Sequence, residues 1–211
     1  MGPRYRVDGA DYAFDGWIRA ELEARAQLMR DVVEQLPSQI AHFADLLFVT
    51  LQSGGKLLFA GNGGSAATAQ HLAAEFVGRL RRERAPMAAL ALNADTITLT
   101  ALSNDFGVEM AYVRPLQALA RKEDALILLT TSGRSPNLVT AGRAARAIHC
   151  PVVAMTGARG GPVADDADLW LAAPTDNAPC VQEAHLVIGH VVCELVESRI
   201  FTGSHGHADV K

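Results

Sequence analysis

The chain has 211 residues, 49% hydrophobic and 20% charged, with 19 Lys and Arg against 23 Asp and Glu. At ~100–200 residues per domain this is one globular domain, and the composition excludes disorder as its main state. The net charge of −4 argues against broad binding to a nucleic-acid backbone, and no apolar run approaches the ~18 residues of a membrane helix.

Residues 1–13 mix Gly, Pro and charge and are read as a loose arm. They show no apolar core of a secretory signal, so a cytoplasmic protein is expected. The three cysteines, Cys150, Cys180 and Cys193, are too scattered for a zinc cluster or a disulfide framework, and reduced thiols are the simplest reading. From Asp15, Trp17, Ile18, Leu22, Ala26, Met29, Val32 and Val33 recur near the helical period, until Pro37 interrupts. A second helix is expected over about Ser38–Gln52, with Ile40, Phe43, Leu46, Leu47 and Leu51 inward and Gly54-Gly55 as its stop.

Short apolar runs then alternate with amphipathic stretches. Strands are expected at Leu57–Gly61, Ala88–Leu92, Ala125–Thr130, Pro151–Thr156 and Asp168–Ala173. Helices are expected at Ser65–Leu80, from about Thr96, from about Val108, and at Pro136–Ile148, Val163–Ala167 and Cys180–Ile200. Alternation with continuously apolar strands implies an α/β fold, a doubly wound parallel five-stranded sheet flanked by helices. Residues 14–201 form that single domain and 202–211 a mobile tail. The tail contains His205 and His207, for which a metal role competes with plain terminal disorder. The two leading helices lie outside the alternation and are apolar enough to pack on a neighbour, so an oligomer is expected.

Ligands of open α/β sheets bind beyond the carboxyl ends of the strands, and two polar loops stand there. Asn62-Gly63-Gly64-Ser65 follows the first strand and opens a helix, whose free N–H groups and positive dipole end suit a phosphate. It lacks the Lys of a nucleotide P-loop, and a tight strand–helix turn is the plain alternative. Thr130-Thr131-Ser132-Gly133-Arg134-Ser135 follows the third strand and precedes Pro136. N-capping by Ser135 would explain that residue but not Thr131 and Ser132. Two such loops on one sheet favour a shared phosphate site.

His71 and Glu75 are four apart and share a helix face, as a surface pair or as metal-binding or catalytic groups. On the last helix Gln182, Leu186, His190 and Glu194 form one stripe. His190 sits in an apolar run, so a hydrogen-bonded core histidine competes with a functional one. His185 looks less buried by pattern and has no assigned role. Asn104-Asp105 before Gly107 reads as a turn or as a sugar-hydroxyl site.

Five segments together carry a resemblance: FAGNGGSAATAQHLAAEFVGR, ALSNDFGVE, TTSGRSPN, VAMTGARGG and VQEAHLVIGHVVCELVE. In this order they resemble the sedoheptulose-7-phosphate (phosphoheptose) isomerases of the sugar isomerase (SIS) domain superfamily, over roughly Leu46 to Phe201. The resemblance implies an aldose–ketose isomerase that turns sedoheptulose 7-phosphate into D-glycero-D-manno-heptose 7-phosphate through an enediol. It implies that Asn62, Gly63, Gly64, Ser65, Thr130, Thr131, Ser132 and Ser135 bind the phosphorylated seven-carbon sugar, with Gln182. Asn104 and Asp105 would meet its hydroxyls. It further implies Zn2+ on His71, Glu75, Gln182 and His190, with Glu75 as base and His190 as acid. It implies, finally, a homotetramer with shared active sites. The chain departs from relatives at Pro179-Cys180-Val181, where an acidic residue and Arg-Ile are frequent, at Thr68 for a frequent Asp, and at Thr130 for a common Ser. Two alternatives stay open: a tetrameric adaptor of the same fold that binds the replication initiator protein, and an isomerase of another phosphosugar. Retention of Glu75 and His190 favours an enzyme over the adaptor.

Overall fold

The structure is a computed structural model and describes residues 14–205. The expected arm, residues 206–211 of the expected tail, and His207 with them lie outside the described residues. Helices α1 (Asp15–Gln35) and α2 (Pro37–Gln52) lead. Leu36 closes one and precedes Pro37 at the start of the other, where a proline ring is compatible with the first helical turn. Gly54 takes the left-handed conformation (φ 78°) just past α2, as the Gly54-Gly55 pair predicts.

The chain then alternates through β1 (Leu57–Gly61), α3 (Gly64–Val77), β2 (Ala89–Ala91), α4 (Thr96–Phe106), a 3-10 turn at Val108–Met110 and α5 (Val113–Leu119). It continues through β3 (Ala125–Leu129), α6 (Pro136–Ala147), β4 (Val152–Thr156), α7 (Pro162–Asp165), β5 (Leu169–Ala172) and α8 (Ala178–His205). Helix α8 therefore runs past its expected end near Ile200. All neighbouring strands pair in parallel, in the order β2-β1-β3-β4-β5.

Strand periodicity divides the core into two layers. Leu57, Phe59, Ile127, Val153 and Met155 face α2, α3 and α8, and pack with Phe43, Leu47, Leu72, Phe76 and Ile188. Leu58, Ala60, Leu126, Leu128, Val152 and Ala154 face the other side, toward Tyr112, Leu116 and Leu138. Both strand faces are buried, which is why β1, β3 and β4 read as unbroken apolar runs. The strand order reverses at β1, so the loops after β1 and β3 diverge and leave a crevice at the carboxyl edge.

Candidate active site

The two polar loops meet in that crevice. Asn62, Ser65, Thr130, Thr131, Ser132, Ser135 and Gln182 line one small cavity of about 70 Å³. Ser65 and Thr130 are nearly fully buried there. Gly63 turns the chain into α3 with a positive φ of 55°, and the N-terminus of that helix opens beside Ser65. Asn62 and Asn137 exchange reciprocal amide hydrogen bonds of 3.0 and 2.9 Å, locking the loop after β1 to the first turn of α6. The Tyr112 hydroxyl donates to the Gly61 carbonyl and reaches Asn62 Oδ1 at 3.4 Å. Burial pushes its phenol up to about 12, so it remains a proton donor.

In the second loop Thr130 Oγ1 accepts from the Gly133 amide at 3.1 Å, and Ser132 Oγ accepts from the Arg134 amide at 3.3 Å. Ser135 occupies the N-cap position of α6, but its side chain makes no capping bond. Capping therefore does not account for Ser135, and its hydroxyl lines the cavity instead. Every residue lining this cradle is neutral. Arginines stand at its rim: Arg134 and Arg159 line an adjoining cavity of about 250 Å³ with Thr131, Ser132 and Asp176. Arg159 pairs with Asp176 at 2.8 Å, so a cation from the loop after β4 stands beside the segment that departs from relatives.

Gln182, in the first turns of α8, lies with its carboxamide against Gly64. A Cβ on Gly64 would stand 2.7 Å from Gln182 Cδ and Nε2, so any side chain there would displace the glutamine. The structure thus places Gln182 at the cradle.

Two turns along α3 stands the titratable cluster. His71 Nε2 is 2.9 Å from His190 Nε2 and 3.3 Å from Glu75 Oε1. One ligand atom from each of the three residues lies within 4.8 Å of the others. The helical spacing of four puts His71 and Glu75 on one face, and α8 brings His190 across to it. The rings of His71 and His190 meet edge to face, 5.1 Å between centroids. Glu75 and His190 are half-buried and His71 is exposed, so the cluster is open to solvent. Donors ~2.0–2.1 Å from a tetrahedral ion stand ~3.3 Å apart, and the imidazole–imidazole–carboxylate set matches zinc's preference for nitrogen with one oxygen donor. The two short spacings, 2.9 and 3.3 Å, are of that order, so the three residues could hold a metal ion between α3 and α8.

Two sequence expectations change here. His185 looks less buried than His190 by pattern, yet it is 1% exposed and its Nε2 donates to the Thr156 carbonyl at 3.1 Å. Burial lowers its pKa to about 4, and its bare Nδ1 has no partner. The core histidine of α8 is thus His185, while His190 faces the cluster. Asn104 and Asp105 form the last turn of α4 rather than a turn after it, and Gly107 makes the bend at φ 87°. Both are exposed, Asn104 Nδ2 donates to Asp105 Oδ1 at 2.9 Å, and neither lines the cradle of its own chain.

Asn137, Tyr112 and Arg84 escape sequence reasoning. Asn137 follows Pro136 at a helix start, where a capping role would be the ordinary reading. Tyr112 and Arg84 act across about fifty and more than one hundred positions of the chain respectively, with no local pattern to announce them.

Residues 22–157 match the family model described as SIS domain. The chain is 46% identical over 189 residues to the phosphoheptose isomerase of Roseiflexus sp. strain RS-1, covering 90% of this chain and 96% of that protein. It is 48% identical over 168 residues to the phosphoheptose isomerase of Burkholderia pseudomallei, covering 80% and 85%. Among solved structures, a phosphoheptose isomerase from Francisella tularensis superposes with a TM-score of 0.84 at 33% identity, covering 87% of this chain and 97% of that one. The phosphoheptose isomerase from Neisseria gonorrhoeae gives 0.83 at 34% identity, covering 88% and 99%.

Proposed function

The chain belongs to the phosphoheptose isomerase family of SIS-domain proteins, and from that premise we propose how its own residues carry out the reaction. It is an aldose–ketose isomerase that converts sedoheptulose 7-phosphate to D-glycero-D-manno-heptose 7-phosphate. The observation that carries the mechanism is the convergence of His71, Glu75 and His190 about two turns along α3 from the hydroxyl cradle. His71 lies seven residues beyond Gly64, ~10 Å along the helix axis, a length that an extended seven-carbon phosphosugar spans.

The phosphate at C7 rests in the cradle, on the amides at the starts of α3 and α6 and on the hydroxyls of Ser65, Thr130, Thr131, Ser132 and Ser135. That remote binding energy orients C1 and C2 at the cluster. The Glu75 carboxylate removes a proton from C1 while His190 gives a proton to the C2 carbonyl oxygen, and an enediol forms. Glu75 then returns its proton to C2. The O1 hydroxyl yields its proton to His190, which leaves an aldehyde at C1. Both groups end in their starting states and no outside oxidant is needed. Zinc held by His71, Glu75 and His190 would polarise the carbonyl and stabilise the oxyanion that develops on it, while Gln182, expected as a fourth ligand, lies in this chain against Gly64 at the cradle instead. Glu75 and His190 belong to both sets, and assaying Glu75→Gln with and without zinc separates their roles. Asn104 and Asp105 bind sugar hydroxyls in this reading, contributed through the assembly.

The assembly we propose is a homotetramer in the cytoplasm. No helix of the described residues is long and apolar enough to cross a membrane. Apolar side chains of α1 and α8 lie uncovered, among them Trp17, Leu22, Val187 and Val191.

The testing experiment is turnover of sedoheptulose 7-phosphate by protein stripped of metal and then reloaded with zinc. The expected result is aldose formation that falls on stripping and returns with zinc. Turnover indifferent to zinc would remove the metal from the mechanism. No turnover in either state, with another phosphosugar converted or the replication initiator captured instead, would restore one of the alternatives.

A further inference from the structure

Gly189 is buried in the middle of α8, a 28-residue helix, and its backbone needs no glycine: its φ is not positive. Glycine at such a place weakens a helix, so a contact must require it. That contact is Leu72 of α3. A Cβ on Gly189 would overlap Leu72 Cδ2 and would stand 2.5 Å from Cδ1 and 3.0 Å from Cγ. Leu72 is 1% exposed and packed within the core layer that faces α2, α3 and α8, so its side chain can yield only by displacing packed neighbours.

The position of this contact gives it a meaning beyond packing. Leu72 directly follows His71, and Gly189 directly precedes His190. The knob-and-notch contact therefore sits at the level where the two imidazole Nε2 atoms stand 2.9 Å apart. A methyl group at 189 must move α8 away from α3 or turn it about its axis, and either change carries His190 away from His71 and Glu75. The hydroxyls of the cradle, carried by α3 and the loop after β3, do not depend on this contact, whereas Gln182 rides on α8 with His190.

We propose that Gly189 and Leu72 are positioning residues for the isomerase: their fit sets the gap between α3 and α8, and so the spacing of His71, Glu75 and His190. The inference rests on the reading of that cluster as the reacting and metal-binding centre. Gly189→Ala is expected to lower kcat ~10–100-fold, the cost of a displacement near 1 Å. KM should stay within about threefold, since the phosphate contacts are untouched. Zinc affinity, measured on the protein by competition with a chelator, should fall ~10-fold or more, as for other residues that orient ligands. Adding Leu72→Ala to Gly189→Ala opens room for the methyl and should restore kcat and zinc affinity to within about threefold of Leu72→Ala alone.

Unchanged kcat and zinc affinity in Gly189→Ala would overturn the proposal, as would a loss that the double variant leaves in place while its circular dichroism is native. If Gly189→Ala alone does not fold, a folded and active double variant supports the fit, and a folded but inactive one overturns it. His71→Ala is the control for the underlying reading. Should it keep both turnover and zinc, the cluster is not the centre and the inference goes with it. Should it lose both while Gly189→Ala loses neither, only the fit is refuted.

Discussion

A carboxylate removes a proton from carbon only where substrate can reach it and where an acid waits on the other side of the reacting bond. In the proposed mechanism Glu75 and His190 are those two groups: both are half-buried, and each lies beside His71. Glu75→Gln or His190→Ala should each lower turnover at least ~100-fold, the usual scale of general acid–base catalysis, with an unchanged circular dichroism spectrum. Near-parental rates in either variant would remove that residue from the mechanism. His185 makes a different prediction. It is neutral in the folded protein, with a pKa lowered by burial to about 4 against an ordinary 6.5. The unfolded chain thus binds the extra proton between those values, and stability is lost as pH falls from 6.5 toward 4. The difference corresponds to about 3 kcal/mol. His185→Gln retains a donor for the Thr156 carbonyl but cannot take up the proton. Its melting temperature should fall less steeply with acid than that of the parent, and parallel curves would refute the assignment.

At the scale of elements, the site depends on how α3 ends as much as on how it begins. Arg84 donates to the carbonyls of Glu75 and Phe76 at 2.8 and 2.9 Å, holding the last turns of the helix that carries the base. Its guanidinium is itself fixed by Glu197 of α8 at 2.9 Å. The Glu197 carboxylate also accepts from the Leu80 and Arg81 amides. Burial pushes this carboxyl up, but those amides and Arg84 outweigh it and hold it below the usual carboxylate range. Removing one partner of a buried pair leaves the other charge uncompensated, at a cost of about 3–5 kcal/mol. Glu197→Ala should therefore lower the urea midpoint by the corresponding amount and reduce turnover through the end of α3. A midpoint equal to the parent's would show that the pair contributes nothing.

The whole molecule leaves a good deal of apolar surface uncovered for one copy. Helix α4 buries no residue, although Ile97 and Phe106 lie on it, and Val33, Val187, Val191 and Leu195 line an apolar groove of about 480 Å³ with Met29 and Ile40. A tetramer would cover such surface, and would let Asn104 and Asp105 of one copy approach the crevice of another. Val191→Glu, at a position already 43% exposed, should leave the monomer folded and shift the sedimentation profile from tetramer toward smaller species. A parental profile would place the contact elsewhere, and a monomeric parent would end the proposal. The sequence by itself determined much of this molecule. Apolar runs can form only buried parallel strands, glycine and hydroxyl loops after β1 and β3 have one place to go at a switch point, and a spacing of four sets His71 beside Glu75. These are properties of local periodicity and of chain connectivity, which a linear reading contains. What the tertiary structure alone decided depends on the rotation and separation of elements far apart in the chain. It buried His185 and turned His190 toward His71, because the rotational setting of α8 against α3 follows from packing and not from the helical period. It paired Asn62 with Asn137 of α6, and Arg84 with Glu197 of α8, residues far apart in the chain that no local pattern relates. And it seated Gly189 on Leu72, since the closeness of two helices is a property of their contact that neither helix holds alone.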